Sequence, residues 1–280
     1  MRVLQTEALI PVIEKLCIKA CCELNDNVMD AFRKAVENEE SPIGKKALEI
    51  IVKNGEFAKK EQLTCCHDTG VAVVLLECGQ EVAWEGMPLE DAVNEGVRRG
   101  YTNGYLRKSV VADPLNRENT NDNTPAMLHV EIVPGDQVKV TVMPKGGGSE
   151  NMGAFKVLLP GEGKEGVKQF LLETVAKVGG NPCPPYIIGI GIGGTMDTCA
   201  WMAKKALLRP IGEHNPNPYY AELEKEFLEA VNKSGVGPIG MGGTVTALDV
   251  HIDYHGVHIT ALPVAINFQC NAARQASEVI

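Results

Sequence analysis

Helical periodicity dominates the first sixty residues. Leu4, Leu9, Ile10, Ile13, Leu16 and Cys17 recur at three- and four-residue intervals across 4–24, interrupted only by Pro11. Similar spacing continues over 27–38 and 41–59, where Ser41-Pro42 supplies a capping residue followed by a proline in the first turn. The pattern then changes. Residues 71–76 form a short Val-rich apolar run, as a buried strand would, and 88–103 return to helical spacing. The polar stretch 116–124 (NRENTNDNT) reads as a surface loop. Alternation resumes over 129–133 and 137–142 around Pro134-Gly135-Asp136, which predicts a hairpin. Further on, 163–178, 196–208 and 219–231 have helical spacing, and 186–192 is a β-like run. Residues 244–269 alternate as two strands joined near Tyr254-His255-Gly256.

These elements predict a mixed α/β (α+β) chain, with N-terminal helices packed on a mixed sheet and flanking helices. The 280 residues are expected to form one domain, 1–280, with a helical subregion at 1–60 and an α/β region at 61–280. A net charge of −9 lacks the basic footprint of a nucleic-acid binder. No run approaches the ~18 apolar residues of a membrane span. Glu7, Glu14 and Lys15 interrupt the N-terminus where a signal peptide needs an unbroken apolar stretch. The expectation is a cytoplasmic protein with reduced thiols.

That expectation matters because there are nine cysteines, an odd count in a long chain and a poor fit to a disulfide framework. Reduced cysteines can be small buried hydrophobes, reactive thiols or metal ligands. No Cys-x2-Cys pair hints at zinc, and the vicinal pairs Cys21-Cys22 and Cys65-Cys66 are poor chelates because adjacent side chains point apart. Three sit where the chain is irregular. Cys66 precedes His67-Asp68-Thr69-Gly70, Cys183 lies in the proline-rich Asn181–Pro185, and Cys270 ends the last strand. They are far apart in sequence, so any shared ligation must be assembled by the fold.

Three glycine loops are the other candidate chemistry. Gly189, Gly191 and Gly194 satisfy G-x-G-x-x-G between a strand and a helix, but no acidic residue follows at a strand end to take a ribose hydroxyl. Dinucleotide binding is set aside, and the narrower expectation is that the N–H groups at this helix start suit an anion. Gly146–Gly148 and Gly237–Gly243 read either as turns or as close approaches to a ligand.

Several ordered motifs resemble the class I, iron–sulfur, fumarate hydratase and L-tartrate dehydratase family. They are Cys66–Gly70 (CHDTG), Lys145–Asn151 (KGGGSEN), Asn181–Tyr186 (NPCPPY), Gly191–Asp197 (GIGGTMD), Lys204–Arg209 (KKALLR) and His258–Cys270 (HITALPVAINFQC). Length and content resemble the separate α subunit of the two-subunit form. The resemblance implies that Cys66, Cys183 and Cys270 hold a [4Fe–4S] cluster with one iron free of cysteine, a Lewis acid for hydroxide departure. It implies that Asp68 contacts substrate and supports the general base, that Arg107 captures a substrate carboxylate, and that Gly147 offers its backbone N–H. His258 matches an active-site histidine. His67 replaces the family's usual glutamine beside the ligand cysteine; it is expected to touch substrate, and it leaves the substrate's identity open.

The resemblance also places the base, a threonine, on a β part for which this chain has no counterpart. The expected partner is therefore a β subunit in an α2β2 hetero-oligomer, with a small dicarboxylate as substrate and no nucleic acid or membrane. Reversible hydration of fumarate to (S)-malate ranks first, ahead of L-tartrate dehydration or a mesaconate-type hydration. A non-catalytic iron–sulfur redox or sensor protein is the alternative of another class, and a cluster-free anion-binding protein is a third.

Overall fold

The computed structural model describes Met1–Ile280 and has the expected mixed α/β class. Its strands are β1 (Arg2–Gln5), β2 (Val71–Gly79), β3 (Val82–Glu85), β4 (Met127–Val133), β5 (Val138–Lys145), β6 (Ala154–Leu158), β7 (Tyr186–Gly193), β8 (Ala247–His255), β9 (Leu262–Gln269) and β10 (Ala276–Val279). Its helices are α1 (Leu9–Cys22), α2 (Asp26–Asn38), α3 (Pro42–Glu61), α4 (Leu89–Asn103), the single turn α5 (Gly147–Glu150), α6 (Gly163–Val178), α7 (Met196–Ala206) and α8 (Pro218–Asn232). Most boundaries fall within three residues of those the periodicity predicts. The first does not. Arg2–Gln5 pair in parallel with β3, and Thr6 fixes this start by donating to the Met87 carbonyl at 2.8 Å. The helix then begins at Leu9, so Pro11 falls in its first turn, where no intrahelical donor is lost. No helix is long and apolar enough to cross a membrane.

The chain divides into two compact units, each built from discontinuous stretches. One comprises Met1–Asn25, Gly55–Gly147 and Arg274–Ile280; the other comprises Asp26–Asn54 and Gly148–Ala273.

In the first unit the sheet order is β10-β5-β2-β4, with β4 parallel and β5 antiparallel to β2. The predicted hairpin of β4 and β5 therefore does not form, because β2 lies between them. β2 is buried along most of its length, so its apolar side chains and its backbone both gain from neighbours on either side. The connection Pro134–Gln137 instead crosses the end of β2. There the Gly79 N–H donates to Gln137 O at 2.8 Å and the Gln80 N–H to Val133 O at 2.8 Å. A Cβ on Gly79 would lie 2.3 Å from Gly135 O, so this crossing requires a glycine. Helix α1 packs on β5 and against α4, burying Leu9, Ile13, Leu16 and Cys17 with Val93, Val97 and Tyr101. Each such aliphatic side chain contributes about 1.5–3 kcal/mol by leaving water.

In the second unit the order is β6-β9-β7-β8, with β8 parallel and β9 antiparallel to β7. Here too two strands consecutive in the chain, β8 and β9, flank a central one. The alternation of β7 (YIIGIGIG) serves two faces. Ile188, Ile190 and Ile192 enter a core with Leu171, Val175, Phe227 and Val231 of α6 and α8. Gly189 and Gly191 face α7, whose backbone comes so close that Cβ atoms there would lie 2.0 Å from Ala203 O and 2.1 Å from Cys199 O.

Candidate active site

In the first unit, the expected substrate residues meet at one sheet end, where β2 begins and β5 finishes. Val71 pairs with Lys145, which places Cys66–Gly70 beside Gly146 and Gly147. The Asp68 carboxylate is held at both oxygens: the Gly70 N–H donates to Oδ1 at 3.0 Å and the Gly147 N–H to Oδ2 at 3.0 Å. The Gly147 donor expected to face substrate is thus engaged by Asp68. Thr69 joins a second loop to the first. Its hydroxyl accepts from the Arg107 N–H at 2.9 Å and donates to Arg107 O at 3.2 Å. The Arg107 side chain remains exposed. Buried Tyr101 donates to the Thr69 and Gly70 carbonyls at 2.9 and 3.1 Å, and Asn123 donates to Gly70 O at 3.2 Å. His67 is exposed, with Nδ1 4.0 Å from the Cys66 sulfur.

In the second unit, Cys183 and Cys270 also share one sheet end. Ile187 of β7 pairs with Gln269 of β9, and the Asn271 N–H donates to Cys183 O at 3.0 Å. Cys183 is exposed and adopts φ +56°, a conformation that costs a non-glycine residue and persists where surroundings enforce it. Its own N–H donates to Gly180 O. His258 is not brought to this end. It follows β8, whose His255 pairs with Gly193, so about 20 Å of strand separates it from the cysteines. Its Nδ1 lies 2.9 Å from Thr260 Oγ1, and it borders an apolar cavity of about 320 Å³ with Tyr219, Tyr220, Phe227 and Leu262.

Burial divides the nine thiols. Cys17, Cys21, Cys22, Cys78 and Cys199 are buried, and burial pushes their thiols up, to about 12 for Cys21 and about 11 for Cys199. Cys65 is half-buried, and desolvation pushes it up to about 11. The remaining three are Cys66, Cys183 and Cys270, half-buried or exposed on loops at strand ends. Thiolates are the ligands of iron, so the accessible set fits a cluster better than the buried one. No three His, Cys, Asp or Glu side chains converge to hold a single metal ion. Cubane thiolates each take a separate iron and need not converge on one point.

The glycine loops have structural work. The N–H groups of Asp197 and Thr198 at the start of α7 bond the Asp197 carboxylate, and the Thr195 hydroxyl donates to it at 2.6 Å. The helix start expected to suit an anion carries its own. The Gly237–Gly243 loop leads into Thr244 and Val245, whose N–H groups donate to the buried Glu39 carboxylate at 2.9 and 2.8 Å. Sequence reasoning missed Glu39, and it missed Arg274, whose Nη1 donates to Asp68 O at 2.5 Å. Neither belongs to a motif.

A family model, fumarate hydratase (Fumerase), matches residues 10–279. The chain belongs to that family and is a hydro-lyase. It is similar to a protein of Methanocaldococcus jannaschii named "Putative L(+)-tartrate dehydratase subunit alpha", with 42% identity over 271 residues covering 95% of each chain. It is also similar to the L(+)-tartrate dehydratase subunit alpha of Escherichia coli strain K12, with 32% identity over 258 residues, 91% of this chain and 85% of the relative. The protein of that name from Shigella sonnei shows the same figures.

Proposed function

We propose that the chain is the α subunit of a two-subunit, [4Fe–4S]-dependent hydro-lyase acting on a C4 dicarboxylate, and that residues 1–280 work as one catalytic domain. The relatives' names support L(+)-tartrate as the substrate to test first, and the family description supports fumarate as the second. One observation carries the reading: Asp68, Gly147 and, through Thr69, the Arg107 loop gather at a single sheet end beside Cys66.

Cys66, Cys183 and Cys270 would hold the cluster. When bound, it supplies a Lewis acid toward a substrate hydroxyl. The chain's own residues do the rest of what this half contributes. Arg107 presents a planar fork suited to bidentate capture of a carboxylate. Asp68, fixed by two backbone N–H groups, offers carboxylate lone pairs to a substrate hydroxyl and holds a proton passing to or from it. His67 can donate or accept a hydrogen bond at the site's exposed edge. Removal of the C3 proton needs a base, and the reading assigns that base to a β subunit, in an α2β2 assembly in the cytoplasm. It does not rest on His258.

The test is anaerobic co-purification with the β chain, followed by parallel assays of L-tartrate, fumarate and mesaconate. Turnover of one of them by the pair, and near inactivity of the α chain alone, is expected. Full turnover without a partner, or none on any of the three by an iron-loaded pair, contradicts the reading.

A further inference from the structure

Arg274 is only 1% exposed, the largest of the fully buried side chains. A guanidinium is costly to bury unless its charge and donors are used. It stands where the chain returns from the second unit, four residues after Cys270 and two before β10. Its Nη1 donates to the Asp68 carbonyl oxygen. Its Nη2 and Asp68 Oδ2 both lie 3.2 Å from the position that a Cβ on Gly146 would take. Asp68 is therefore held at three points: its carbonyl by Arg274, Oδ1 by the Gly70 N–H, and Oδ2 by the Gly147 N–H. The two backbone donors orient the carboxylate relative to the loop. Arg274 fixes the loop itself.

We propose that Arg274 is a positioning residue of the hydro-lyase reaction, a buried cation that fixes the Asp68 peptide so that its carboxylate stays aimed at the reacting substrate. This rests on the reading of Asp68 as a substrate-facing carboxylate. Arg107 captures a substrate carboxylate separately, so ground-state binding depends less on Arg274 than turnover does. A displaced catalytic group of this kind costs about 100-fold in rate.

The test uses the full chain with its β partner. Arg274→Met is expected to lower kcat about 100-fold while KM changes less than about threefold. Added guanidinium ion is expected to restore part of kcat, and Arg274→Lys, which keeps the charge, to lose less than Met. In the full chain without partner or cluster, hydrogen exchange of Arg274→Met should quicken at Gly70 and Gly147, whose N–H groups bond Asp68, and stay unchanged over β7–β9. Asp68→Asn is the control. If Asp68→Asn is inactive while Arg274→Met keeps kcat and slow exchange, the inference is overturned and the Asp68 reading stands. If Asp68→Asn turns over normally, the Asp68 reading fails first. A rise in KM at constant kcat for Arg274→Met also overturns the inference.

Discussion

The two four-stranded sheets follow one plan and fill it with different chemistry. Each has a central strand, β2 or β7, with a parallel neighbour reached through a helix on one side. On the other side lies an antiparallel strand with an antiparallel edge strand beyond it. In each, the connection between the flanking strands crosses the end of the central strand at a glycine: a Cβ on Gly79 would meet Gly135 O of one connection, and the Gly194 N–H donates to Gly256 O of the other, beside Gly193, whose Cβ would meet His255 O at the end of β8. In each, the opposite end carries thiols: Cys66 ahead of β2, Cys183 ahead of β7 and Cys270 after β9. The packing differs. Side chains fill β2, whereas in β7 glycines let the backbone of α7 settle on the sheet. The lesson is that a G-x-G-x-x-G string after a strand can be a packing device, because the close approach it permits is between backbones.

The sharpest way to break the comparison is a side chain in β7. Gly191→Val places carbon against Cys199 O, and the second unit is expected to lose about 4 kcal/mol or more, read as a collapse of the urea midpoint. In β2, where side chains already fill the space, Val73→Ala should cost only about 2 kcal/mol. Similar losses at the two sites would contradict the assignment.

Glu39 and Asp68, two carboxylates that accept backbone N–H groups, make the next contrast. Glu39 is buried and bonds the N–H groups of Ser41, Thr244 and Val245, whereas Asp68 is half-buried, bonds those of Gly70 and Gly147, and has a substrate-facing role in the proposed function. Glu39→Ala should cost about 3 kcal/mol because several donors lose their partner, measured by denaturant unfolding. Asp68→Asn keeps one acceptor and turns an NH2 group toward the other N–H, so it should cost less, about 1 kcal/mol, and remove turnover.

The crossings sharpen the comparison further. Gly79→Ala and Gly193→Ala should each cost about 2 kcal/mol, since their Cβ atoms would meet Gly135 O and His255 O. A harmless Gly79→Ala would mean that the shared plan has no shared steric cause.

The smallest effect is one of pH. Burial alone would raise Glu39, but hydrogen bonds from Ser41, Thr244 and Val245 outweigh it and hold the carboxyl below its ordinary value near 4.5. The unfolded chain therefore takes up this proton first as pH falls. The associated stability is full above about pH 4.5 and is lost as pH falls through the lower folded-state value. Urea midpoints measured from about pH 6 to about pH 3.5 should fall less steeply for Glu39→Gln than for the unsubstituted chain.

Helices and strands were legible in the sequence because apolar spacing reports which face is buried. Strand partners were not. Alternation over 129–133 and 137–142 identifies two strands, but nothing local says that β2 will enter between them, and the same omission separated β8 from β9. At the candidate site, Cys66, Asp68 and Gly147 were legible as candidates because they stand in ordered motifs, and Arg107 because it resembles the family's carboxylate-binding arginine. Arg274 sits in Ala-Ala-Arg-Gln-Ala, where a lone arginine carries no signal, and only its burial and its bond to Asp68 O distinguish it. His258 shows the converse, since it stands in a motif yet lies at the far end of its sheet from Cys183 and Cys270.

The central claim is that the thiols at matching sheet ends, and not the buried ones, hold the cluster. Anaerobic reconstitution of the full chain, followed by iron and sulfide analysis and absorbance near ~400 nm, tests it directly. The account predicts that Cys66→Ser, Cys183→Ser and Cys270→Ser each lose the band and most of the iron, while Cys65→Ser and Cys199→Ser keep both. A cluster retained in all of the first three, or lost with Cys65→Ser alone, would contradict it.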